Sequence, residues 1–124
     1  MIVVAPDILP SSFPALFGGQ GVLESRRLIN PVSGSNLKAV VLNRLPPGAS
    51  IGRHQHVGEE DFYFCLSGQG IVTDNDTEHL FAPGILQITR DGEYQGLRNT
   101  GAGDLVFLAG LVLTTSPRTP EPVR

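Results

Sequence analysis

The sequence predicts an all-β fold, a jelly-roll barrel built as a single domain from 124 residues. Two observations lead to this prediction. Fifteen glycines and ten prolines disfavour long helices, because glycine destabilises a helix interior by about 1 kcal/mol and proline by about 3 kcal/mol. From about Val22 onward, short apolar runs alternate with turn residues at regular intervals, which is typical of a sandwich or barrel of short strands.

The N-terminal part of the chain, residues 1–34, is predicted to be an arm that carries the first strand or strands of the same domain. Its stretch from Pro6 to Gly21 is rich in Pro, Ser, Gly and Phe. We expect this stretch to wrap the outside of the domain or to form one helical turn near residues 14–17.

Residues 35–114 are predicted to form the barrel core. The expected strands, each bounded by turn residues, are Leu37 to Leu45, Asp61 to Leu66, Gly70 to Thr73, Glu78 to Phe81, Ile85 to Thr89, Tyr94 to Arg98 and Asp104 to Thr114. The residues Asp74-Asn75-Asp76 are a tight-turn signal, so the third and fourth of these strands are predicted to form a hairpin. The Pro-rich residues 115–124 are predicted to be an extended or loose tail.

Composition and charge exclude several classes of protein. Nine Lys and Arg residues against twelve Asp and Glu residues give a net charge of -3, which provides no basic surface for nucleic acid and no polybasic membrane anchor. A single cysteine, Cys65, excludes an internal disulfide framework and is typical of a reducing compartment. The first residues lack the basic and apolar regions of a signal peptide. We therefore expect a cytoplasmic protein whose partner is a small-molecule substrate, with neither nucleic acid nor membrane.

Two histidines and an acidic residue form the most informative pattern. His54 and His56 are two residues apart, so on a strand both imidazoles lie on one face. Asp61 opens a later strand and can approach the pair across the sheet. Two imidazoles and a carboxylate are a common ligand set for a divalent transition metal. The alternative is a pair of hydrogen-bonded histidines in a barrel without metal.

The spacing around these residues resembles the cupin family. The first cupin motif is Gly, five residues, His, one residue, His, three or four residues, Glu, six residues, Gly. The same spacing occurs here in Gly48, His54, His56, Asp61 and Gly68, with Asp in place of Glu. Aspartate is shorter by one methylene, so the resemblance implies either a closer backbone at this position or a substitute acid. Glu60, one residue off the spacing, is the second choice for the acidic ligand, and it would need a bulge to reach the site.

The second cupin motif is Gly, five residues, Pro, one residue, Gly, two residues, His, three residues, Asn. Gly84, Gly92 and Asn99 match it, whereas Arg90 replaces the proline and Gln95 replaces the histidine ligand. The resemblance covers roughly residues 35–114. It implies that Gln95 faces the site, either as a metal ligand through its carbonyl oxygen or as a substrate contact.

The resemblance implies a metal-dependent enzyme acting on a small organic molecule, as an oxygenase, decarboxylase or isomerase. His54, His56, Asp61 and Gln95 are then the candidate ligands of a divalent transition metal ion such as Fe(II), Mn, Ni or Zn. Tyr63 shares the face of Asp61, and it and Glu60 are the candidates for proton transfer. One alternative is a metal-free lyase or isomerase in which a histidine acts as base with Tyr63 or Glu60 as acid. The other is a cupin that binds a small molecule without catalysis.

The remaining candidates are expected to have structural or surface roles. Cys65 is predicted to be a small core residue, and Asn99 is expected to close the turn before the last strand. Among the arginines, Arg90 is the best candidate to contact an anionic substrate, and Glu59 is expected to be solvated. We also predict a homodimer, in which Phe13 and Phe17 of the arm cover the sheet of a neighbouring copy.

Overall fold

The computed structural model describes residues 1–114, and these form two antiparallel β-sheets that pack face to face. The strands are β1 (Ser11–Pro14), β2 (Val22–Arg27), β3 (Leu37–Leu45), β4 (Ser50–Gln55), β5 (Glu59–Ser67), β6 (Gly70–Asp74), β7 (Thr77–Phe81), β8 (Leu86–Thr89), β9 (Tyr94–Asn99) and β10 (Leu105–Leu113). The predicted all-β fold is therefore confirmed. The expected tail, residues 115–124, lies outside the described residues.

Helical structure in residues 1–114 consists of two single 3₁₀ turns, Ala5–Asp7 and Leu16–Gly18. Neither approaches the length and apolarity of a membrane-crossing helix. The second turn lies one residue or two beyond the position at which the sequence suggested a helical turn.

The order of the strands brings distant segments of the chain together. One sheet has six strands in the order β1-β2-β3-β10-β5-β8, and the other has four in the order β4-β9-β6-β7. Consequently β5 lies inside the six-stranded sheet, whereas β4 and β9 are neighbours in the opposite sheet. Side chains that point inward from these three strands meet in the space between the sheets.

Alternation along β5 decides which of its side chains face inward. Asp61, Tyr63 and Cys65 are buried, and the residues between them are more exposed. This period of two follows from the pleat of the strand. By the same alternation Glu59 faces inward and Glu60 faces outward.

The apolar core fills one end of the space between the sheets. We call this the closed end, and its members are Leu45, Phe81, Leu97, Leu105 and Phe107, each no more than 2% exposed. The rings of Phe81 and Phe107 meet at a centroid distance of 6.1 Å in an edge-to-face arrangement. Burial of these large side chains is the main source of stability for the fold.

One glycine and one asparagine explain why the turns next to the closed end need their residues. Gly68 has φ +88°, and a Cβ there would lie 2.3 Å from the carbonyl oxygen of Asp104. A side chain at Gly68 would therefore force β5 and β10 apart. Asn99 donates from Nδ2 to the carbonyl oxygens of Leu45 and Gly103, both at 2.8 Å. Asn99 thus fixes the turn before β10, as predicted.

The N-terminal arm packs on its own chain. β1 pairs with β2, and β2 pairs with β3, so the arm extends the six-stranded sheet. Phe13 and Phe17 line a cavity between the sheets of the same chain. Both rings remain exposed in the single chain, at 43% and 58%. The homodimer stays a prediction, which light scattering of the purified protein tests.

Candidate metal and ligand site

A cavity of about 330 Å³ lies between the sheets beside the apolar core, at the lower end of the roughly 300–1,000 Å³ typical of small-molecule pockets. Much of its wall is apolar. The polar side chains of its wall are Ser11, Ser25, Arg27, Asn43, His54, His56, Glu59, Asp61 and Tyr63. Arg27, Phe13 and Phe17 are exposed, so they form the mouth. The cavity therefore suits a small ligand with a few polar groups.

His54 reaches the cavity because β4 contains an irregularity. The register between β4 and β9 shifts between Ile51 and His54, so both of these side chains face inward although they are three residues apart. The Nδ1 of His54 lies 2.7 Å from the carbonyl oxygen of Gly52 and donates to it. The lone pair of Nε2 is consequently free for a ligand. Burial holds the pKa of His54 below its ordinary value, which keeps the ring neutral.

The turn that precedes β2 covers the ring of His54. Phe17 stacks on it at a centroid distance of 3.9 Å and an interplanar angle of 12°. Gly52 makes this approach possible, because a Cβ there would lie 1.9 Å from the carbonyl oxygen of Phe17. Phe17 itself has φ +52°, an uncommon conformation for a bulky residue. The local backbone thus holds an aromatic ring over the candidate ligand.

His56 lies at the centre of the polar contacts. Its Nε2 is 3.0 Å from Gln95 Oε1 and 3.2 Å from Asp61 Oδ2, and its Nδ1 is 3.1 Å from Glu59 Oε1. Burial alone would lower the pKa of His56, but hydrogen bonds to Asp61 and Glu59 outweigh it and raise the pKa to about 9. In this arrangement both ring nitrogens donate, so His56 carries a positive charge at neutral pH.

Asp61 supplies a buried carboxylate that is only half satisfied. Oδ2 contacts His56, whereas Oδ1 is the one buried side-chain oxygen or nitrogen within residues 1–114 that has no hydrogen-bond partner. Burial raises the pKa of Asp61 above its ordinary value, against the opposing influence of His56. An unsatisfied buried carboxylate oxygen is unfavourable by itself, and its position beside two histidines suits a bound cation.

Gln95 does not line the described cavity, but its oxygen meets the same ring nitrogen of His56 that Asp61 meets. It is fully buried, its Oε1 accepts from His56, and its Nε2 donates to Gln87 Oε1 at 2.8 Å. The structure therefore brings together His54, His56, Asp61 and Gln95, with the rings of the two histidines at a centroid distance of 4.9 Å.

The two candidates for proton transfer have different positions. Tyr63 lines the cavity, and burial, together with the negative charge of Asp61, raises its pKa well above the ordinary value, so its hydroxyl stays protonated. Glu60 is exposed on the outer face of β5 and lies in the wall of a separate groove. Because no bulge displaces it, Glu60 does not reach the cavity, and this placement corrects the expectation for that residue.

Glu59 occupies the position that the sequence analysis considered for Glu60. It contacts His56 and forms an ion pair with Lys38 at 2.8 Å. Burial would raise the pKa of Glu59, but the hydrogen bonds from Lys38 and His56 hold it below the ordinary value. The expectation that Glu59 is solvated is therefore wrong. The two-residue spacing from Glu59 to Asp61 was the signal that could have found it.

Other placements refine the list of candidates. Cys65 is buried, as predicted, and no pairing partner is present because it is the single cysteine. Arg90 is exposed and is not part of the described cavity wall, whereas Arg27 is. Arg27 donates to the carbonyl oxygens of Ile29 and Lys38. No short-range pattern in the sequence marks Arg27, because only the pairing of β2 with β3 brings it to the cavity.

The chemistry of the donors fits a divalent transition metal. Two imidazoles, a carboxylate and an amide oxygen are available, and the unpartnered oxygen of Asp61 can ligate a metal through its lone pairs. Among residues 1–114, no group of three or more His, Cys, Asp or Glu side chains is already arranged around a metal position. The Nε2 of His56 instead donates hydrogen bonds to Asp61 and Gln95. A metal ion bound there would replace the proton on Nε2.

Comparison with known proteins agrees with the fold and the motif. Residues 41–111 match the family described as Cupin domain. An oxalate-binding protein from Thermotoga maritima is 36% identical over 115 residues, which cover 91% of this chain and 94% of that protein. The crystal structure of a predicted oxalate decarboxylase from Thermotoga maritima has a TM-score of 0.84 and 32% identity, covering 91% of this chain and 99% of the other. KdgF from Halomonas sp. has a TM-score of 0.72 at 13% identity, with coverage of 96% and 94%, and is similar in fold alone.

Proposed function

The chain belongs to the cupin family, and from this membership and the site geometry we propose that it is a metal-dependent cupin that binds a small organic acid of the oxalate class. The ion in this proposal is a divalent transition metal, and its ligands are His54, His56, Asp61 and Gln95. The observation that carries the proposal is the unpartnered, buried Oδ1 of Asp61 beside His56. The dicarboxylate comes from the name of the relative that is 36% identical.

The side chains around the cavity support a small anion as the ligand. When bound, the metal would act as a Lewis acid toward a carboxylate of that ligand. Arg27 at the mouth provides a permanent positive charge, and guanidinium groups suit carboxylates geometrically. The neutral hydroxyl of Tyr63 can donate a hydrogen bond to the ligand. The apolar wall excludes water, which strengthens these polar contacts.

Decarboxylation is the reaction that the cavity favours, because it can supply a proton. When a dicarboxylate loses carbon dioxide, the carbon–carbon bond breaks and a proton takes the place of the departing group on the remaining carboxylate. Tyr63 keeps its proton and lines the cavity, so it is our candidate donor. The described relatives differ on this point, since one carries the name of a binding protein and the other that of a predicted decarboxylase.

Metal analysis and calorimetry test the proposal. Protein without a His tag is loaded with Mn, Fe(II), Ni or Zn, and its metal content and its heat of oxalate binding are measured. We expect one ion per chain and oxalate binding only in the loaded protein. His54→Ala and His56→Ala should lose both. His79→Ala is the matched control, because His79 lies on β7 outside the cavity and contacts Thr77.

The outcomes separate the three hypotheses. Oxalate binding that survives a strong chelator would favour the metal-free acid–base alternative. Binding by the loaded protein without release of carbon dioxide or formate would leave a binding protein. Neither metal nor oxalate binding after supplementation would contradict the proposal. Tyr63→Phe should bind oxalate more weakly by about one hydrogen bond, roughly 10-fold or somewhat more, and should lose turnover altogether if Tyr63 donates the proton.

A further inference from the structure

A chain of hydrogen bonds connects the candidate metal site to a carboxylate on the far side of the barrel wall. From this chain we infer that Asp74 and Gln87 are positioning residues, which turn the carbonyl oxygen of Gln95 toward the metal. The inference rests on the proposed function, since it concerns the same ligand set. It assigns a role to two residues that lie outside the cupin motifs.

The chain begins where β6, an inner strand of the four-stranded sheet, lies close to β8, the edge strand of the six-stranded sheet. Asp74 lies at the end of β6 in the four-stranded sheet, and Gln87 lies on β8 at the edge of the six-stranded sheet. The Nε2 of Gln87 donates to Asp74 Oδ1 at 3.3 Å and to Thr89 Oγ1 at 2.8 Å. The Oε1 of Gln87 then accepts from Gln95 Nε2 at 2.8 Å.

The carboxylate sets the direction of this chain. An ionised carboxylate accepts hydrogen bonds and cannot donate them, whereas an amide can present either its oxygen or its NH₂ group. Asp74 therefore requires the NH₂ group of Gln87, and the oxygen of Gln87 is left to face Gln95. Gln95 must therefore donate to that oxygen with its own NH₂ group, and the oxygen of Gln95 is left to face His56. The hydroxyl of Thr89 can donate or accept, and it would not select an orientation by itself.

The orientation matters because Gln95 occupies the position of a histidine ligand in the cupin motif. If its side chain rotated by 180° about the last bond, two N–H groups would face His56 and the metal. An amide NH₂ group has no available lone pair for a cation, and the site would lose one donor. Gln95 and Gln87 are both buried, so a rotated amide would also leave polar groups without partners.

The placement of Asp74 makes the inference testable without touching the ligand cavity. Asp74 is half-buried and faces a groove of about 430 Å³ on the outside, which Val72 and His79 also line. Its carboxylate is hydrogen-bonded to Gln87, and its backbone lies opposite Gln95 in the pairing of β6 with β9. A change of the Asp74 side chain can therefore reach the metal through the amide of Gln87 or through Gln95 itself.

Metal titration of the full chain provides the first test. Asp74→Asn keeps the size of the side chain but allows it to donate, and Gln87→Leu removes the amide that holds Gln95. We expect each variant to bind Mn(II) about 10- to 100-fold more weakly, the range found when residues that orient metal ligands are changed. Asp76→Asn is the matched control, because Asp76 is exposed at the neighbouring turn, pairs with Arg53, and should leave the affinity unchanged.

A second background separates positioning from general stability. Gln95→His introduces an imidazole, which presents a nitrogen lone pair to the metal without having to choose between an oxygen and an NH₂ group. We expect Asp74→Asn to have a clearly smaller effect on Mn(II) affinity in a Gln95→His chain than in the wild type. Equal losses in both backgrounds would overturn the inference, since they would mean that Asp74 acts on the fold. Urea denaturation of each variant, followed by circular dichroism, shows whether it is folded under the conditions of titration.

A readout in the metal-free protein distinguishes failure of the inference from failure of the proposed function. With ¹⁵N-labelled glutamine, the side-chain NH₂ signal of Gln95 should be a single, slowly exchanging pair in the wild type. Asp74→Asn should give two sets of signals for the two orientations. A single set in that variant would overturn the inference. Metal binding that is unaffected by Asp74→Asn and Gln87→Leu would overturn it too, with the proposed function intact. Absence of metal binding in the wild type would contradict the proposed function, while the NMR result still decides the orientation.

Discussion

The two ends of the space between the sheets are built on the same strands but have opposite character. Along β5 the inward positions run from Asp61 through Tyr63 to Cys65, and along β9 they run from Gln95 to Leu97. The last of these positions on each strand, Cys65 and Leu97, belong to the buried apolar cluster, which is packed with aromatic and aliphatic side chains. We call the other end, which holds His54, His56, Asp61 and Gln95, the site end.

This difference shows what alternation decides and what it leaves open. The pleat selects which side chains face inward, and polarity then decides whether the inward space is a core or a site. The site end buries a carboxylate oxygen without a partner, which is unfavourable for the isolated fold. Such an arrangement is typical of positions selected for binding, and the closed end compensates by supplying the packing.

The largest expected effect is at the closed end. Phe107→Ala should lower the free energy of unfolding by about 3–5 kcal/mol, because it removes a fully buried ring that packs against Tyr63 and Phe81. Urea denaturation measures this change. Val106→Ala is the matched control on the next residue of β10, where the side chain faces outward and is only half-buried, and it should change stability by about 1 kcal/mol or less. Similar losses in the two variants would contradict the assignment of Phe107 to the packed core between the sheets.

Metal addition should stabilise the protein through the site end. At a free metal concentration 100 times the Kd, the free energy of unfolding should rise by about 2.7 kcal/mol. Asp61→Asn should reduce this gain by about 1.4 kcal/mol for each tenfold loss of affinity, since an amide is a weaker ligand than a carboxylate. Thermal or urea denaturation with and without metal measures the gain. A chelated sample is the control, and an equal gain in Asp61→Asn would remove this residue from the ligand set.

The pKa values of the two histidines of the site end should be shifted in opposite directions in the metal-free protein. NMR should give a pKa of about 9 for His56 and a pKa below the ordinary value for His54. Because the folded-state pKa of His56 is raised, its contribution to stability is fully present below pH 6.5 and is lost as the pH rises through about 9. His56→Gln should flatten the stability profile over that window. Ordinary pKa values for both rings would contradict the hydrogen bonds to Glu59 and Asp61.

Much of the fold could be predicted because its signals are local. The strand predicted from Leu37 to Leu45 has the same bounds in the structure, and the hairpin around Asn75 forms at the predicted turn. β1 and β2 were less visible, since their short segments are held by pairing with distant residues. Pairing of that kind leaves no periodic pattern in so few residues.

The candidate site was predicted only in part, because some of its residues are marked by local spacing and others depend on long-range strand pairing. Spacing placed His54, His56 and Asp61 together, but the step from Ile51 to His54 depends on a shift of register between β4 and β9 that the residue pattern alone does not specify. Arg27 and Gln87 come from separate strands and have no motif around them. Their roles depend on which strands become neighbours, and that is decided by the packing of the whole barrel.

The smallest expected effect concerns Cys65, which lies on β5 between the two ends. It is 1% exposed, and burial raises the pKa of its thiol, so attack by a disulfide reagent requires the barrel to open. In the native protein at pH 8 the thiol should react at least about 100-fold more slowly than in urea, if opening costs about 2.7 kcal/mol or more. The control is Leu66→Cys in a Cys65→Ser chain, because Leu66 is the next residue and is 46% exposed on the outer face. That thiol should react almost as fast as in urea. Equal rates for the two positions in the native protein would mean that the barrel opens readily around Cys65, so that burial on the inner face of β5 gives its thiol no protection.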